Sequence, residues 1–168
     1  MRRTFAEELY MWMEKDPDIW LITVDLGYKM WDKIRDDFPG RFINTGAAEQ
    51  AAMGIAVGLA LEGKKPFIYS ITPFLLYRAF ETIRNYVNHE KIPVRLIGGG
   101  RDNDYKHDGF SHYAGDDKLL FRNDFGYGWV NGILGNIEPI WPENTDQVKV
   151  AGTAMVMGTT PYYLNLRR

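Results

Sequence analysis

Short runs rich in apolar and β-branched residues alternate with stretches of helical periodicity along the whole chain, and this alternation restricts the possible folds more than any other feature. "IWLITVD" (19–25), "RFINT" (41–45), "KPFIYSI" (65–71) and "PVRLIGGG" (93–100) read as strands, followed by "IEPIW" (137–141) and "PYYLNL" (161–166). Between them, residues 3–15, 29–38, 47–62, 73–90 and about 144–157 read as helices. Strands apolar on both faces, separated by helices, imply a three-layer α/β fold: a parallel sheet with helices on both faces. A chain of 168 residues is the size of one such domain, so 1–168 is expected to form a single unit. Sheets of this kind bind ligands beyond the carboxyl ends of their strands. The turns carrying Glu49 and Phe74 and the loop after Gly100 all follow strands at that rim.

The helix after "RFINT" is unusual. The pairs 47/48, 51/52, 55/56 and 59/60 recur every four residues and are mostly alanine, so one face is nearly all small. Gly54 and Gly58 let a second backbone come close. At its start stands one carboxylate, Glu49, among Ala47, Ala48, Ala51 and Ala52. An acid in a first helical turn is favoured by the helix dipole.

Composition removes several classes of function. The formal net charge is -2, and lysine and arginine are dispersed, so nothing favours nucleic acid. Without cysteine there are no disulfides or thiolate metal sites, which fits a reducing compartment. "MRRTFAEELYMWMEK" begins like a targeting segment, but Glu7, Glu8 and Glu14 make it an amphipathic helix. No apolar run reaches the length of a bilayer span, so a soluble, cytoplasmic protein with no membrane partner is expected. "GGG" at 98–100 is not a dinucleotide fingerprint, because Arg101, Asp102 and Asn103 follow. His107 and His112 with Asp108 do not have the pattern of a zinc site, and Ser70 and Ser111 lack the strand-to-helix elbow of a hydrolase.

In order along the chain, "DLG", "FPGRFINTGAAEQAAMGIAVGLALEGKKPF", "TPFLLYRAFETIRN", "HDGFSH" and "PYYLNLRR" resemble the pyrimidine-binding domain of the transketolase family, enzymes dependent on thiamine diphosphate. The resemblance runs from about residue 3 to the C-terminus and is weakest between 117 and 137. It implies that Glu49 contacts N1′ of the cofactor's aminopyrimidine. That contact favours the imino tautomer, whose 4′-nitrogen removes the thiazolium proton. A single carboxyl group in a dry pocket suits this work, and small neighbours would let the flat ring approach.

By the same resemblance Phe74 is the stacking residue and Tyr77 lies one turn on. Ile71 stands where many relatives have a second phenylalanine, and Asp25 of "DLG" borders the cofactor. His112 matches the histidine that faces substrate, and Asp108 the acid that binds a substrate hydroxyl. Gly100 stands where transketolases proper carry a further histidine, and His107 is the substrate contact expected to replace it in part. Arg168 matches an arginine that helps hold a sugar phosphate, and Lys29 is a further anion contact. Asn165 and Trp141 depart from the family pattern at that end of the site.

The family binds the diphosphate and its divalent metal through G-D-G followed by an asparagine pair, and "GDD" (115–117) and "HDG" (107–109) lack that continuation. The chain also stops where the third domain of full-length transketolases would begin. It is therefore expected to be one subunit of a split enzyme, a heterotetramer whose G-D-G-containing partner holds the diphosphate and Mg2+ or Ca2+. No metal site is expected in this chain. Ketol transfer between sugar-like substrates is the leading expectation. A split 2-keto acid decarboxylase and a non-catalytic scaffold subunit are the alternatives: "DGFSH" weighs against the first, and Glu49 against the second.

Overall fold

The computed structural model describes residues 2–100 and 104–116, and beyond them the backbone of three short strands at 136–138, 154–157 and 165–167. The elements in chain order are α1 (Arg2–Lys15), β1 (Ile19–Thr23), α2 (Asp32–Asp37), β2 (Phe42–Asn44), α3 (Glu49–Leu61), β3 (Lys65–Ile71), α4 (Thr72–Arg78), α5 (Phe80–Thr82) and β4 (Arg95–Gly99). The three later strands are β5 (Asn136–Glu138), β6 (Ala154–Met157) and β7 (Asn165–Arg167).

The main sheet has the order β2-β1-β3-β4-β6. Its first four strands are parallel, with Leu21 opposite Phe42 and Phe67, and Phe67 opposite Arg95. β6 joins the β4 edge antiparallel, Leu96 opposite Met157, while β5 and β7 form a separate antiparallel pair. The expected helix at 144–157 is thus corrected at its end. Ala154–Met157 extends the sheet, because the open edge of β4 offers these residues a ladder of backbone hydrogen bonds. The rest of that predicted helix lies outside the described residues.

Alternation along β3 assigns the layers. The Phe67 ring lies 6.2 Å from Trp12 of α1, and Tyr69 lies 5.2 Å from Trp31, which leads into α2. Odd positions of β3 therefore face α1 and α2. Ser70 points the other way, its hydroxyl 3.5 Å from Glu49 of α3. Fully buried Leu9, Met13, Leu21, Ile22, Met53, Phe67, Ile68, Leu75 and Leu76 fill the two interlayer spaces. Trp12 and Trp31 are core residues, so part of the aromatic surplus is packing.

Two predicted helices are shorter than their periodicity suggests. The 29–38 segment becomes helical only at Asp32, since Lys29 adopts φ 55 in the preceding turn. The 73–90 segment is not one helix: α4 ends at Arg78, Ala79 has φ -103 and ψ 14, and Ile83–His89 is π-helical. Such widened turns are rare and recur at functional sites.

Candidate active site

Three chain turns meet at the carboxyl ends of β1, β2 and β3. The Asn44 side chain joins the first two: its Oδ1 accepts the Asp25 N–H at 2.9 Å and the Gly46 N–H at 3.0 Å. This fixes the approach to α3. Ala48 supplies no side-chain cap, so α3 begins with its free N–H groups and their partial positive charge close to Glu49.

Glu49 is only 3% exposed. Its carboxylate is not alone. Arg78 Nη1, from the last turn of α4, donates to Oε1 and Oε2, each at 2.8 Å, and Ser70 Oγ lies 3.5 Å from Oε1. The Arg78 guanidinium carbon also sits 3.8 Å from the centre of the Phe74 ring. Phe74 is one helical turn before Arg78, on the same face of α4. Beyond it, the His112 ring stands at 63° to Phe74 with centroids 4.9 Å apart. The structure thus brings Glu49, Phe74 and His112 into one row, with an unforeseen arginine between the first two.

His112 belongs to the segment that follows β4. Gly100 turns the chain there with φ +73, and a Cβ on it would run into the Tyr105 ring. Tyr105 lies 6.3 Å from His112 and 6.4 Å from His107 by ring centroids. Two 3-10 turns, Lys106–Asp108 and Phe110–His112, then present the polar groups. His107 Nε2 is 3.3 Å from Asp108 Oδ2, and both side chains are exposed, 72% and 44%. Ser111 Oγ is 3.0 Å from His112 Nδ1. The triple glycine also does more than turn the chain. Gly98 lies within β4, where a Cβ would come 2.5 Å from Thr72 Oγ1, so the glycine permits α4 to start directly against the sheet.

The other expected residues lie at different distances from this row. Ile71 ends β3 opposite Gly99 and is half-buried. Tyr77 packs against the hydrophobic core. Asp25 is exposed and left-handed, φ 59, at the rim by Asn44. Lys29 is exposed and lines a groove of about 440 Å3 with Arg3, Glu7, Tyr10 and Lys33, on the α1 side of the sheet and not with Glu49. Arg168 lies outside the described residues, as does the 119–135 segment. Sequence reading missed Arg78 and Tyr105. The four-residue spacing of Phe74 and Arg78 on one helix was the available signal for the first; nothing local signals the second.

A parallel α/β sheet with a buried carboxylate and an aromatic face at its carboxyl rim defines a ligand-binding domain of the three-layer class. Within that class the chain belongs to the transketolase pyrimidine-binding domain family, whose model, "Transketolase, pyrimidine binding domain", matches residues 1–127. This is a thiamine diphosphate-dependent family. A "Putative transketolase C-terminal section" of Methanocaldococcus jannaschii is 34% identical over 123 residues, 73% of this chain and 39% of the relative. The "6-deoxy-6-sulfo-D-fructose transketolase subunit SqwH" of Clostridium sp. is 27% identical over 169 residues, 100% of this chain and 49% of the relative. One of the subunits of an apulose-4-phosphate transketolase from Actinobacillus succinogenes is 29% identical over 130 residues, 77% of this chain and 39% of the relative. Among solved structures, "Split gene transketolase, inactive beta4 tetramer" superimposes with a TM-score of 0.61 at 33% identity, over 73% of this chain and 39% of that one. The chain thus spans between a third and a half of the length of such relatives.

The residues present fit the aminopyrimidine end of the family's cofactor. Glu49 has a buried carboxylate and Phe74 a ring face, the two contacts a flat, hydrogen-bonding heterocycle needs, and in this structure the Arg78 guanidinium makes both. Among the described residues, no group of three or more His, Asp or Glu side chains is placed to hold a metal ion. No described helix is long and apolar enough to cross a membrane.

Proposed function

We propose that this chain is the pyrimidine-binding subunit of a split thiamine diphosphate-dependent transketolase, moving a ketol unit between sugar-like substrates, and that it works only with a partner subunit that holds the diphosphate and its metal. The observation that carries this reading is Glu49: a carboxylate 3% exposed at the head of α3, linked through Arg78 to the Phe74 ring, which in turn packs against His112. Family membership and relatives named as transketolase subunits point the same way.

The cofactor, when bound, supplies the nucleophilic carbon and the electron sink of ketol transfer. The chain's own residues do the rest. Glu49 holds a proton at the ring nitrogen N1′, and its burial keeps water from taking it. Phe74 sets the plane of the ring, with roughly 0.5–1.5 kcal/mol from stacking beyond burial. His112 and Asp108 meet the hydroxyls of the donor sugar, because each buried hydroxyl needs a partner. His107, 3.3 Å from Asp108, keeps that carboxylate oriented. Residues 1–168 act here as a single domain, and the assembly is a heterotetramer, in the cytoplasm.

Calorimetric titration of the purified chain with thiamine diphosphate and magnesium tests partner dependence. Binding weaker than micromolar is expected from the chain alone, with tight, metal-dependent binding and turnover appearing together when a G-D-G-containing partner is added. Submicromolar binding by the isolated chain would overturn the split-enzyme reading. His112→Ala and Asp108→Ala in the complex are expected to lower ketol transfer by about 10–100-fold with cofactor affinity nearly kept. Equal losses of both would move that loop to the cofactor.

A further inference from the structure

The position of Arg78 has a meaning that pyrimidine binding alone does not supply. A guanidinium is flat, cationic and rich in N–H donors. Here it lies on the face of Phe74, 3.8 Å from the ring centre, and its Nη1 donates to both oxygens of Glu49 at 2.8 Å. Those are the two contacts, a ring face and a buried carboxylate, that a flat aminopyrimidine would make at this place. Arginine and ring cannot both hold them at once. The Arg78 side chain is 47% exposed while Glu49 is 3% exposed, so the arginine reaches in from solvent and has an open way back out. It is also the last residue of α4, where Ala79, with φ -103 and ψ 14, breaks the helix before α5.

We propose that Arg78 is an internal stand-in for the cofactor ring: it occupies the pyrimidine position in the free chain, and the ring must displace it to load. This rests on the assignment of Glu49 and Phe74 as the pyrimidine site. The stand-in has a physical use. A buried carboxylate without a partner is costly, and Arg78 satisfies it until the ring arrives. Loading then replaces a flat cationic donor with a flat ring whose N1′ shares with Glu49 a proton taken up from solvent, and Arg78 swings toward the rim, where its charge can meet an anionic group of cofactor or substrate. A binding site closed by its own side chain lowers apparent affinity by the fraction of time that it stands open.

The test uses the full isolated chain and a neutral probe, 4-amino-5-hydroxymethyl-2-methylpyrimidine, with affinity read by NMR titration. No partner, metal or turnover is needed. Arg78→Ala is expected to bind the probe about tenfold or more tightly than wild type, the factor removed with a closed state populated about 90% of the time. Arg78→Lys, which keeps a cation for Glu49 but not the flat stack, should fall between them, and serves if the alanine variant does not fold. Adding Glu49→Gln to Arg78→Ala should cancel the gain. Equal affinity in wild type and both Arg78 variants would overturn the stand-in while leaving the pyrimidine site in place. Weaker binding by the variants would overturn it too, making Arg78 a contact of the ring. No binding to any of them at millimolar probe would remove the pyrimidine site itself, and the proposal with it.

Discussion

The corner formed by α3, β3 and α4 and the segment 104–116 lie on either side of Phe74, yet they are built by different means. In the corner, Leu75, Leu76, Ile68 and Met53 are fully buried, and Glu49 is held by an ion pair at 2.8 Å. Across Phe74, Asp108, Phe110 and His107 are exposed, Phe110 81% so, and two short 3-10 turns carry them. The polar group that must be shielded from water sits on the rigid scaffold. The groups proposed to meet substrate sit on the part with the least buried surface. Under the proposed function, this division would let contacts to substrate vary without disturbing the corner.

Glu49→Gln, measured in the assembled enzyme, tests the corner most severely. The amide keeps the shape and loses the shared proton, so turnover should fall by about 10²–10⁴-fold while circular dichroism remains native. Activity near wild type would end the proposed role of the corner. Next in size is a pair of truncations read by denaturant unfolding. Leu75→Ala should cost about 2–5 kcal/mol because its side chain is fully buried, whereas Phe110→Ala should change stability by less than about 0.5 kcal/mol. Similar costs for both would mean that the 104–116 segment is as structural as the corner.

Gly100→Ala probes the junction between the two regions. A left-handed φ of +73 and the Tyr105 ring in the Cβ position predict a loss of about 1–3 kcal/mol, with the His112 resonances shifted because Tyr105 packs near that ring. Unchanged His112 resonances would uncouple the turn from the site. The smallest expected effect lies at the opposite end of β3. Burial pushes the Asp16 carboxyl up, but hydrogen bonding and charge from Lys65 and the Asp18 N–H outweigh it, so the group is held below its ordinary value. A depressed carboxylate contributes stability above its unfolded value and loses it as the pH falls through the folded one. Between about pH 5 and pH 3, Asp16→Asn should therefore flatten the acid loss of stability by a few tenths of a kcal/mol. An unaltered acid profile would show that the Lys65 pair contributes nothing measurable.

Local pattern makes the parallel strands legible. "IWLITVD" and "KPFIYSI" are apolar on both faces, and only a buried parallel sheet satisfies that. The same pattern puts Glu49 at the head of a helix at the carboxyl rim, and Phe74 after the next strand. "KMWDKIRDDF" and "TPFLLYRAFETIRNYVNHE" are less regular than their periodicity suggests, because periodicity reports which face is apolar and not where a turn widens or a residue such as Lys29 goes left-handed. The alanines near Glu49 suggest an open pocket, while the structure puts a guanidinium there.

Residues close in the chain determine the order of strands and helices as far as β4, the sheet's burial on both sides and the family motif around Glu49. Tertiary structure decided what Glu49 touches. Arg78 is 29 residues away, and its ion pair exists only because β3 lies beside α3 and runs straight into α4. It decided that Ala154–Met157 joins the β4 edge as a strand and that Lys29 opens onto the α1 side. The physical reason is common to these cases. Spacing along a chain encodes local conformation through periods of 2 and 3.6 residues, whereas a pairing between distant residues depends on which surfaces the packed layers bring within a few ångströms.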